Sequence, residues 1–447
     1  MSPSRRLSPL TACALLPVLL WACRTAPPRE LGPKEAIQQV TRRTDSLEAL
    51  EIALEAIELS AMELPWLQGW TDGPSWPAYW QAAALAWNID VARALREALA
   101  TRAEASSAGA PDPILFRGEA VDLERIDQRS QVNATLDVLG ILGLGPAAAA
   151  RELADTGARS AIARLEAAIW STRHTVDRAL LRLTAERARV EAHQTLLLDV
   201  AADKRRITLL SEDGWLAPHR VAMAEAMIRR AERAVPLSRS RLASLEEDLA
   251  RASGLPSPGA PFEDVPAPSA TTVSESADEH PALRARRFEL AVSEAALRLE
   301  LRRQWPSLRI GPRWQLGEDL LGALVQVDLP WPGSLDGFIQ AAVERRELAA
   351  EEYLEETRRL GAARERARLQ VLEAELELEA AEQLEARSAD AWRGARALFS
   401  VETEALGNWI DALERRLAAL TAVIDADERR RLAVLALREA TGNEERP

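Results

Sequence analysis

Residues able to carry out covalent or metal chemistry are scarce in this 447-residue chain, which has two cysteines and four histidines. Cys13 lies inside an apolar run that follows two arginines at the amino terminus, the pattern of an export signal. No two histidines stand at metal-ligand spacing, so we expect each to lie on the surface of a helix and none to bind zinc. They are His174, His193, His219 and His280. A glycine-rich phosphate loop is also lacking, and the sequence therefore indicates no enzyme, no cofactor and no metal site.

Four tryptophans stand close together in a Pro-rich passage: Trp66, Trp70, Trp76 and Trp80. Such a cluster can line a ligand site. It can also pack a cap onto neighbouring helices, because a buried indole covers a large apolar area. We prefer the packing interpretation.

Cys23 is the one residue for which the sequence indicates a covalent modification. The segment 20–23 places a small residue, Ala22, directly before the cysteine and resembles the lipobox of bacterial lipoproteins. This resemblance implies a signal peptide over residues 1–22 and a diacylated Cys23 at the start of the mature chain, which then has no free thiol. Arg24 follows rather than aspartate, which agrees with sorting to the outer membrane. An ordinary signal peptide that contains a cysteine and a short membrane anchor are the alternatives.

Four short stretches alternate apolar and polar residues, which is the period of a β-strand. We predict strands at about residues 114–121, 132–138, 307–316 and 323–329. One apolar and one polar face suits a membrane strand between lipid and water, although a half-buried soluble hairpin has the same pattern. The residues predicted to face water are Asn133, Thr135, Asp137, Arg309, Arg313, Gln315, Gln326 and Asp328. Those predicted to face lipid are Leu136, Val138, Leu308, Ile310, Trp314, Val325, Val327 and Leu329, with Trp305, Trp314 and Trp331 near the membrane interface.

Most of the remaining chain has the spacing of amphipathic helices, and its abundance of Ala, Leu, Arg and Glu is typical of coiled coils. Two helices, at about 147–210 and 334–398, are each predicted to be roughly 95 Å long. A break follows each of them, near Gly214 and at 399–407, and then a return helix. Helix, two strands, long helix and return helix thus occur twice, at 75–255 and 280–442, which indicates an internal repeat. A tether with a helical extension (23–74) precedes the copies, a Pro- and Ser-rich linker (256–279) separates them, and a tail (443–447) follows.

Charge and hydropathy limit the partners and the architecture. A net charge of −13 argues against nucleic acid and anionic lipid surfaces as partners. No run of about 20 apolar residues predicts a membrane-spanning helix, so any passage through a bilayer must use strands. Four strands cannot close a barrel, and an open sheet edge cannot face lipid. We therefore predict a mainly α fold with a small β part, in which three copies form a trimeric α-barrel and a 12-stranded shared β-barrel.

The order of these motifs resembles the TolC family of outer-membrane efflux proteins over about residues 75–442. The segment AGAPDP (108–113) looks like the approach to that family's first strand, especially in its CzcC-like cation-efflux branch. NATLDVLGILG resembles the second strand and the start of the first long helix. PSLRIGPRWQLG and VQVDLPWPGSLDG resemble the strand pair of the second copy. The resemblance implies a TolC-like fold, a homotrimer, and partnership with a periplasmic adaptor (membrane fusion) protein and an inner-membrane pump.

Residues 399–412, FSVETEALGNWIDA, resemble the periplasmic turn of this family, which meets the adaptor and narrows the inner mouth of the duct. The family pattern has glycine at Glu402 and aspartates at Asn408 and Asp411, so only one of the two acids is kept here. Gly214 keeps the glycine of the first-copy turn. The gate or adaptor residues that the resemblance implies are Gly214, Trp215, Glu402, Glu404, Gly407, Asn408 and Asp411. For Asp411, a solvated helix residue is the other open interpretation.

Two functions fit these features. The first is a lipid-anchored duct in the bacterial outer membrane, with its helices in the periplasm, that passively conducts metal cations, drugs or secreted products delivered by a pump. The second is a periplasmic coiled-coil lipoprotein that acts as a scaffold or adaptor without a pore, which gives no reason for two amphipathic strand pairs. Because Arg309 and Arg313 accompany Asp328 on the predicted water face, the sequence does not fix an ion selectivity.

Replacement of Cys23 by serine distinguishes these two functions. The thiol that carries the lipid is lost, so incorporation of labelled palmitate should be abolished. A duct held by its strands stays in the outer-membrane fraction, whereas a scaffold held only by its lipid is released. Loss of all membrane association in Cys23→Ser would therefore contradict the duct.

Overall fold

Helices form most of the chain that the computed structural model describes, namely residues 76–108, 115–119, 130–137, 145–255, 280–305, 307–316, 320–328, 333 and 335–442. The predicted lipobox with Cys23, the extension, the linker between the copies and the tail lie outside the described residues, as do Val138, Leu329 and Trp331.

The described elements follow the predicted order twice. The first copy consists of α1 (Trp76–Trp87), α2 (Ile89–Ala108), β1 (Leu115–Glu119), β2 (Ser130–Asp137), α3 (Pro146–Glu212) and α4 (Pro218–Ser253). The second consists of α5 (Pro281–Arg303), β3 (Ser307–Leu316), β4 (Leu320–Asp328), α6 (Asp336–Val401) and α7 (Leu406–Thr441). The predicted mainly α fold with a small β part is confirmed.

The two copies match in length as well as in order. Helices α3 and α6 have 67 and 66 residues, and α4 and α7 have 36 each. At 1.5 Å per residue the long helices span about 100 Å. Pro146 occupies the first turn of α3, where its missing N–H costs nothing, and α4 runs uninterrupted through Pro236. Of the helices in the described chain, none combines the length and the apolar content needed to cross a membrane.

Each long helix packs against its return helix, α3 with α4 (the first hairpin) and α6 with α7 (the second hairpin). Small buried residues recur every seven positions along these contacts. They are Ala367, Ala374, Ala381, Ser388 and Ala395 on α6, Ala412, Ala419, Ala426 and Ala433 on α7, and Ala224, Ala231 and Ser238 on α4. A seven-residue period keeps one seam facing the partner helix, and small side chains allow the two backbones to approach closely. The hairpins are therefore antiparallel coiled coils.

Apolar residues spaced three or four apart along α3, among them Leu165, Val176 and Leu183, are buried, and some of them hold α1 against the first hairpin. Trp80 packs with Val176, Leu183 and Leu249 in one apolar cluster, which confirms the packing interpretation for this tryptophan. Gly254 ends α4 with φ +74°, and a Cβ there would lie 2.4 Å from the carbonyl oxygen of Trp87. Only glycine therefore fits at this contact between α4 and the end of α1.

The four strands form one antiparallel sheet in the order β1-β2-β3-β4, so the two copies join through β2 and β3. Apolar residues stand opposite apolar residues across this sheet, with Leu136 opposite Ile310 and Ile310 opposite Val325. Leu308 stands opposite Val327 in the same way. The period-two pattern of the sequence therefore agrees with the register of β2, β3 and β4.

Two of the four strands begin earlier than predicted, and in both cases pairing with a neighbouring strand extends them. β3 has the predicted bounds, β1 lies within its predicted range, and β2 begins two residues early at Ser130, opposite Leu316. β4 begins at Leu320 rather than residue 323 because residues 320–322 continue the ladder with Gln315, Trp314 and Arg313. Pairing with the neighbouring strand sets the ends of β2 and β4. The residue pattern of one strand alone cannot predict this pairing.

A charged layer lies in the interior between the two hairpins. Arg189 of α3 pairs with Glu186 on its own helix and with Asp425 and Glu428 of α7. Burial raises the pKa of Glu428, as does the neighbouring Asp425, while Arg189 opposes this shift. Three carboxyl groups thus surround one guanidinium, and removing that guanidinium would leave the buried Glu186 without its charged partner, together with the partly exposed Asp425 and Glu428.

Three of the four histidines are buried, so the prediction of surface positions is wrong for His174, His193 and His280. His193 continues the seven-residue spacing of Glu186 and Val200 on the buried face of α3, where its Nδ1 lies 3.5 Å from Ser238 Oγ. His280 caps α5 by accepting a hydrogen bond from the backbone N–H of Ala282, and its Nε2 lies 2.9 Å from the carbonyl oxygen of Glu439. His219 is exposed, as predicted.

His174 is the most strongly perturbed of these groups. Its ring packs edge-on against Trp170 with 4.4 Å between ring centroids, and neither ring nitrogen has a hydrogen-bond partner in the described chain. Burial, followed by the charges of Arg173 and Arg178, lowers the pKa of His174 from 6.5 to about 3. The imidazole is therefore neutral in the folded chain at any pH above about 3.

His174 should make folding less stable in mild acid. Below pH 6.5 the unfolded chain binds a proton that the folded chain rejects until the pH reaches about 3, so stability falls across this window, by about 2 kcal/mol at pH 5. In His174→Leu, the free energy of unfolding measured with urea should fall by about 2 kcal/mol less between pH 7.5 and pH 5 than it does in the wild type. The exposed His219→Gln is the matched control, and an equal acid loss in His174→Leu and wild type would contradict the assignment.

Candidate functional site

The two turns that sequence analysis singled out pack together at one end of the hairpins. The α3–α4 turn covers residues 213–217, and the α6–α7 turn covers residues 402–405; we call the two turns together the tip. Leu216 of the first turn and Ala405 of the second belong to the same buried cluster. Arg220 at the start of α4 also donates a hydrogen bond to the carbonyl oxygen of Glu404, at 3.4 Å. The residues predicted as gate or adaptor contacts therefore lie in one region, although their roles stay a prediction.

The first turn depends on Gly214. Its φ of +76° is left-handed, which favours glycine because it has no Cβ. The Trp215 N–H donates to the Leu210 carbonyl at 2.9 Å and the Gly214 N–H to the Ser211 carbonyl at 3.1 Å, which together form a Schellman motif. The turn leaves the Trp215 side chain 70% exposed while Leu216 is buried.

The second turn is built differently and needs no glycine. Glu402 ends α6 with φ −118° and ψ 120°, an extended conformation open to any residue, and its N–H donates to the Leu398 carbonyl at 2.8 Å. One 3₁₀ turn, Thr403–Ala405, then leads into α7. Because this extended conformation does not require glycine, Glu402 fits at the position where the motif that this segment resembles has glycine.

The break between α6 and α7 is shorter than the predicted 399–407. Helix α6 continues to Val401 because Phe399 packs into the buried cluster, and Gly407 already lies inside α7. The side chains of Glu402, Glu404, Asn408 and Asp411 are exposed.

An ionic clamp that sequence analysis missed joins the hairpins next to the tip. Arg396 of α6 donates from Nε to Asp203 Oδ2 of α3 at 2.8 Å and from Nη1 to Asp199 Oδ1 at 3.1 Å. The indole N–H of Trp409 donates to the same Asp203 oxygen at 2.9 Å. Asp203 therefore ties α3 to both helices of the second hairpin. The acids and Arg396 are separated by more than 190 residues, so no local pattern could reveal the contact.

Aromatic rings form the interior beside this clamp. Trp409 lies between Trp392 and Phe399, with ring centroids 5.6 Å and 6.2 Å away. The guanidinium of Arg396 lies 5.6 Å from the centroid of the Trp392 ring, and that of Arg206 lies 5.3 Å from the Phe399 ring. Such cation–π contacts hold the charged clamp against an apolar cluster.

The sheet brings several predicted water-facing positions into register. Asp137 stands opposite Arg309, and Arg309 opposite Gln326, in a row across β2, β3 and β4. Asn133 stands opposite Arg313 and Asp328 opposite Ser307. Thr135 departs from this pattern because it stands opposite Leu115, and Gln315 stands opposite Gln131 on one side and Leu320 on the other.

Apolar side chains are exposed at three strand positions: Ile310 (41%), Val325 (60%) and Val327 (54%). They belong to the set predicted to face lipid. No group of three or more potential metal ligands (His, Cys, Asp or Glu) occurs within the described ranges.

Solved structures with the same architecture come from several bacteria. VceC, an outer-membrane protein of Vibrio cholerae, is similar at TM-score 0.67 and 16% identity over 82% of this chain and 96% of its own. The MtrE outer-membrane channel of Neisseria gonorrhoeae in its open state is similar at TM-score 0.66 and 17% identity over 81% and 88% of the two chains. CusC, described for its transmembrane channel formation, is similar at TM-score 0.69 and 14% identity over 82% and 92%.

These neighbours are outer-membrane channels of the TolC family. At such low identity the similarity establishes the fold, so the chain has a TolC-like fold, as the motif order predicts. No protein-family model matches the sequence, and no curated protein matches it.

Replacement of Arg396 by alanine should loosen the tip. Asp199 and Asp203 lose their charged partner, which should lower the free energy of unfolding by about 2 kcal/mol and speed hydrogen exchange at residues 196–207 and 406–413. The matched control is Arg393→Ala, one turn earlier on α6, whose exposed guanidinium pairs only with Asp390 of its own helix and should cost less than about 0.5 kcal/mol. Equal losses in the two variants would contradict the clamp.

Proposed function

We propose that this chain is the outer-membrane duct of a tripartite efflux system, a homotrimer that passively conducts solutes delivered by a periplasmic adaptor and an inner-membrane pump. The observation that carries the proposal is the similarity to outer-membrane channels over about four-fifths of the chain. Metal cations, drugs and secreted products all suit a passive duct, because the pump selects the cargo. The CzcC-like motif AGAPDP favours cations among them.

The sheet supports a trimer. β1 and β4 each pair with one neighbour only in the described sheet, so each leaves one row of backbone N–H and C=O groups without a strand partner. In lipid these groups must be paired, and a second copy supplies the matching edge. Three copies of four strands close a 12-stranded barrel, wide enough for a water-filled lumen.

The exposed strand residues support the orientation of this barrel. Ile310, Val325 and Val327 expose apolar side chains that a water-facing surface would not favour, so this face lies against lipid. The alternate positions then line the lumen, where Asp137 and Arg309 lie opposite each other. Both signs of charge in one row suit a general duct better than a strongly selective pore.

The tip supports the contact with an adaptor. Trp215 and Val401 are 70% and 81% exposed, and the polar residues Glu402, Glu404, Asn408 and Asp411, in and just after the second turn, are exposed as well. Exposed apolar residues with a polar rim are typical of a binding surface for another protein. The hairpins part at this end when the duct opens, and the Arg396 clamp opposes that motion.

Cys23 anchors each subunit by its acyl chains, while the helices extend into the periplasm. A periplasmic scaffold without a pore would use the same anchor and the same hairpins. It gives no role to a four-stranded sheet whose apolar face is exposed, and for this reason the duct is the better account.

Two arginines on the lipid face should prevent insertion. Val325→Arg/Val327→Arg places two charges in the hydrocarbon, at a cost of about 2–4 kcal/mol each near the midplane. We expect the heat-modifiable trimer to disappear from the outer-membrane fraction. Gln326→Arg, between them on β4 and predicted to face the lumen, is the matched control and should leave the trimer in place. Normal insertion of the double variant would contradict the proposal.

A further inference from the structure

A basic cavity of about 740 Å³ lies between α4 and α7 and is also lined by two residues of α3. No role described so far uses it. Its lining carries five arginines and two carboxylates, a formal charge of +3 in a chain whose total is −13. The arginines are Arg189, Arg229, Arg230, Arg233 and Arg241, and the acids are Glu414 and Asp425. Glu186, Glu428 and Glu225 pair with Arg189 and Arg229 from outside the lining and offset part of this charge. The positive charge available to an anion is therefore that of Arg233 and Arg241.

Three of these arginines are already paired. Arg230 binds Glu414 at 2.9 Å, Arg229 binds Glu225 at 3.2 Å, and Arg189 binds Asp425. In the described chain, Arg233 and Arg241 have neither an ion pair nor a hydrogen bond. Both line the cavity, and both stand on one face of α4 eight residues apart, which corresponds to about 12 Å. The cavity therefore presents two guanidinium groups without counter-charge.

Arg189 of α3 forms part of the floor of the cavity and is 92% buried. Its Nε–H has no hydrogen-bond partner among the described residues, but this atom is shielded by its neighbours, so the accessible donors of the cavity are Arg233 and Arg241. His193, also buried, lies beside it in the lining.

The wall opposite α4 is formed by α7, which carries its acidic residues only at the two ends of the cavity. Between Glu414 at one end and Asp425 at the other, α7 contributes Leu417, Ala418, Thr421 and Ala422. These small and mostly apolar residues leave the centre of the cavity free of carboxylates.

We propose that this cavity is a binding site for a multivalent anion that bears phosphate or carboxylate groups. The guanidinium group binds such groups through two parallel N–H···O bonds, and two long, flexible arginine side chains in one cavity favour an anion with more than one charged group over chloride. Since α4 belongs to the first hairpin and α7 to the second, the bound anion bridges the hairpins. The site does not depend on the proposed duct, because all its residues come from one chain.

Pyrophosphate is a suitable probe, titrated calorimetrically into the purified full-length protein at constant ionic strength. We expect saturable binding, and at least about tenfold weaker binding in Arg233→Gln/Arg241→Gln, because each lost guanidinium removes a charge-assisted contact. Both side chains are exposed, so the variant should fold normally.

The matched control is Arg93→Gln/Arg358→Gln, which removes the same charge from two highly exposed helix positions outside the cavity. It should bind pyrophosphate within about twofold of wild type, a difference expected of surface charge alone. Absence of saturable binding to the wild type, or equal weakening in both double variants, would overturn the proposal. Membrane insertion of the same preparations is measured in parallel, which separates a failure of this site from a failure of the duct.

Discussion

The structure depends on the close approach of antiparallel helices. Small residues repeat every seven positions along α6, α7 and α4. This seam keeps helices of 66 or 67 residues aligned with their return helices. Because the two hairpins have equal lengths, their turns arrive at the same level and form one tip, and their other ends deliver the strands of both copies to one sheet. A larger side chain in the seam would separate the helices that position both functional regions.

Polar contacts then fix how the hairpins lie against each other. Apolar stripes hold helices together but allow them to slide, whereas a charged group needs one particular partner. Arg189 with Asp425 and Glu428, and Arg396 with Asp199 and Asp203, join α3 to the second hairpin at two levels. Such ion pairs contribute little net stability but penalise other registers. They suit a structure whose hairpins must meet in one arrangement, and in the proposed duct they are the contacts that opening would have to break.

The sequence predicted those elements that a periodic pattern of neighbouring residues defines. Period-two alternation located β3 to the residue, and the spacing of amphipathic helices predicted α3 and α6 within a few residues of their bounds. The break predicted near Gly214 lies where this glycine takes a left-handed conformation. Contacts between distant segments could not be predicted in this way. The burial of His174 and the Arg396 clamp depend on which helix faces which, and the early start of β4 depends on its ladder with β3. The water-facing and gating roles of individual residues stay predictions, because they depend on copies of the chain and on partners.

The central claim is that three copies of this chain enclose a continuous water-filled path through the outer membrane. The most direct measurement is electrical conductance across a planar lipid bilayer after addition of the purified full-length protein. The account predicts discrete, uniform conductance steps whose number rises with the protein added. Protein that is helical and bound to the bilayer but produces no conductance steps at any applied voltage would contradict it.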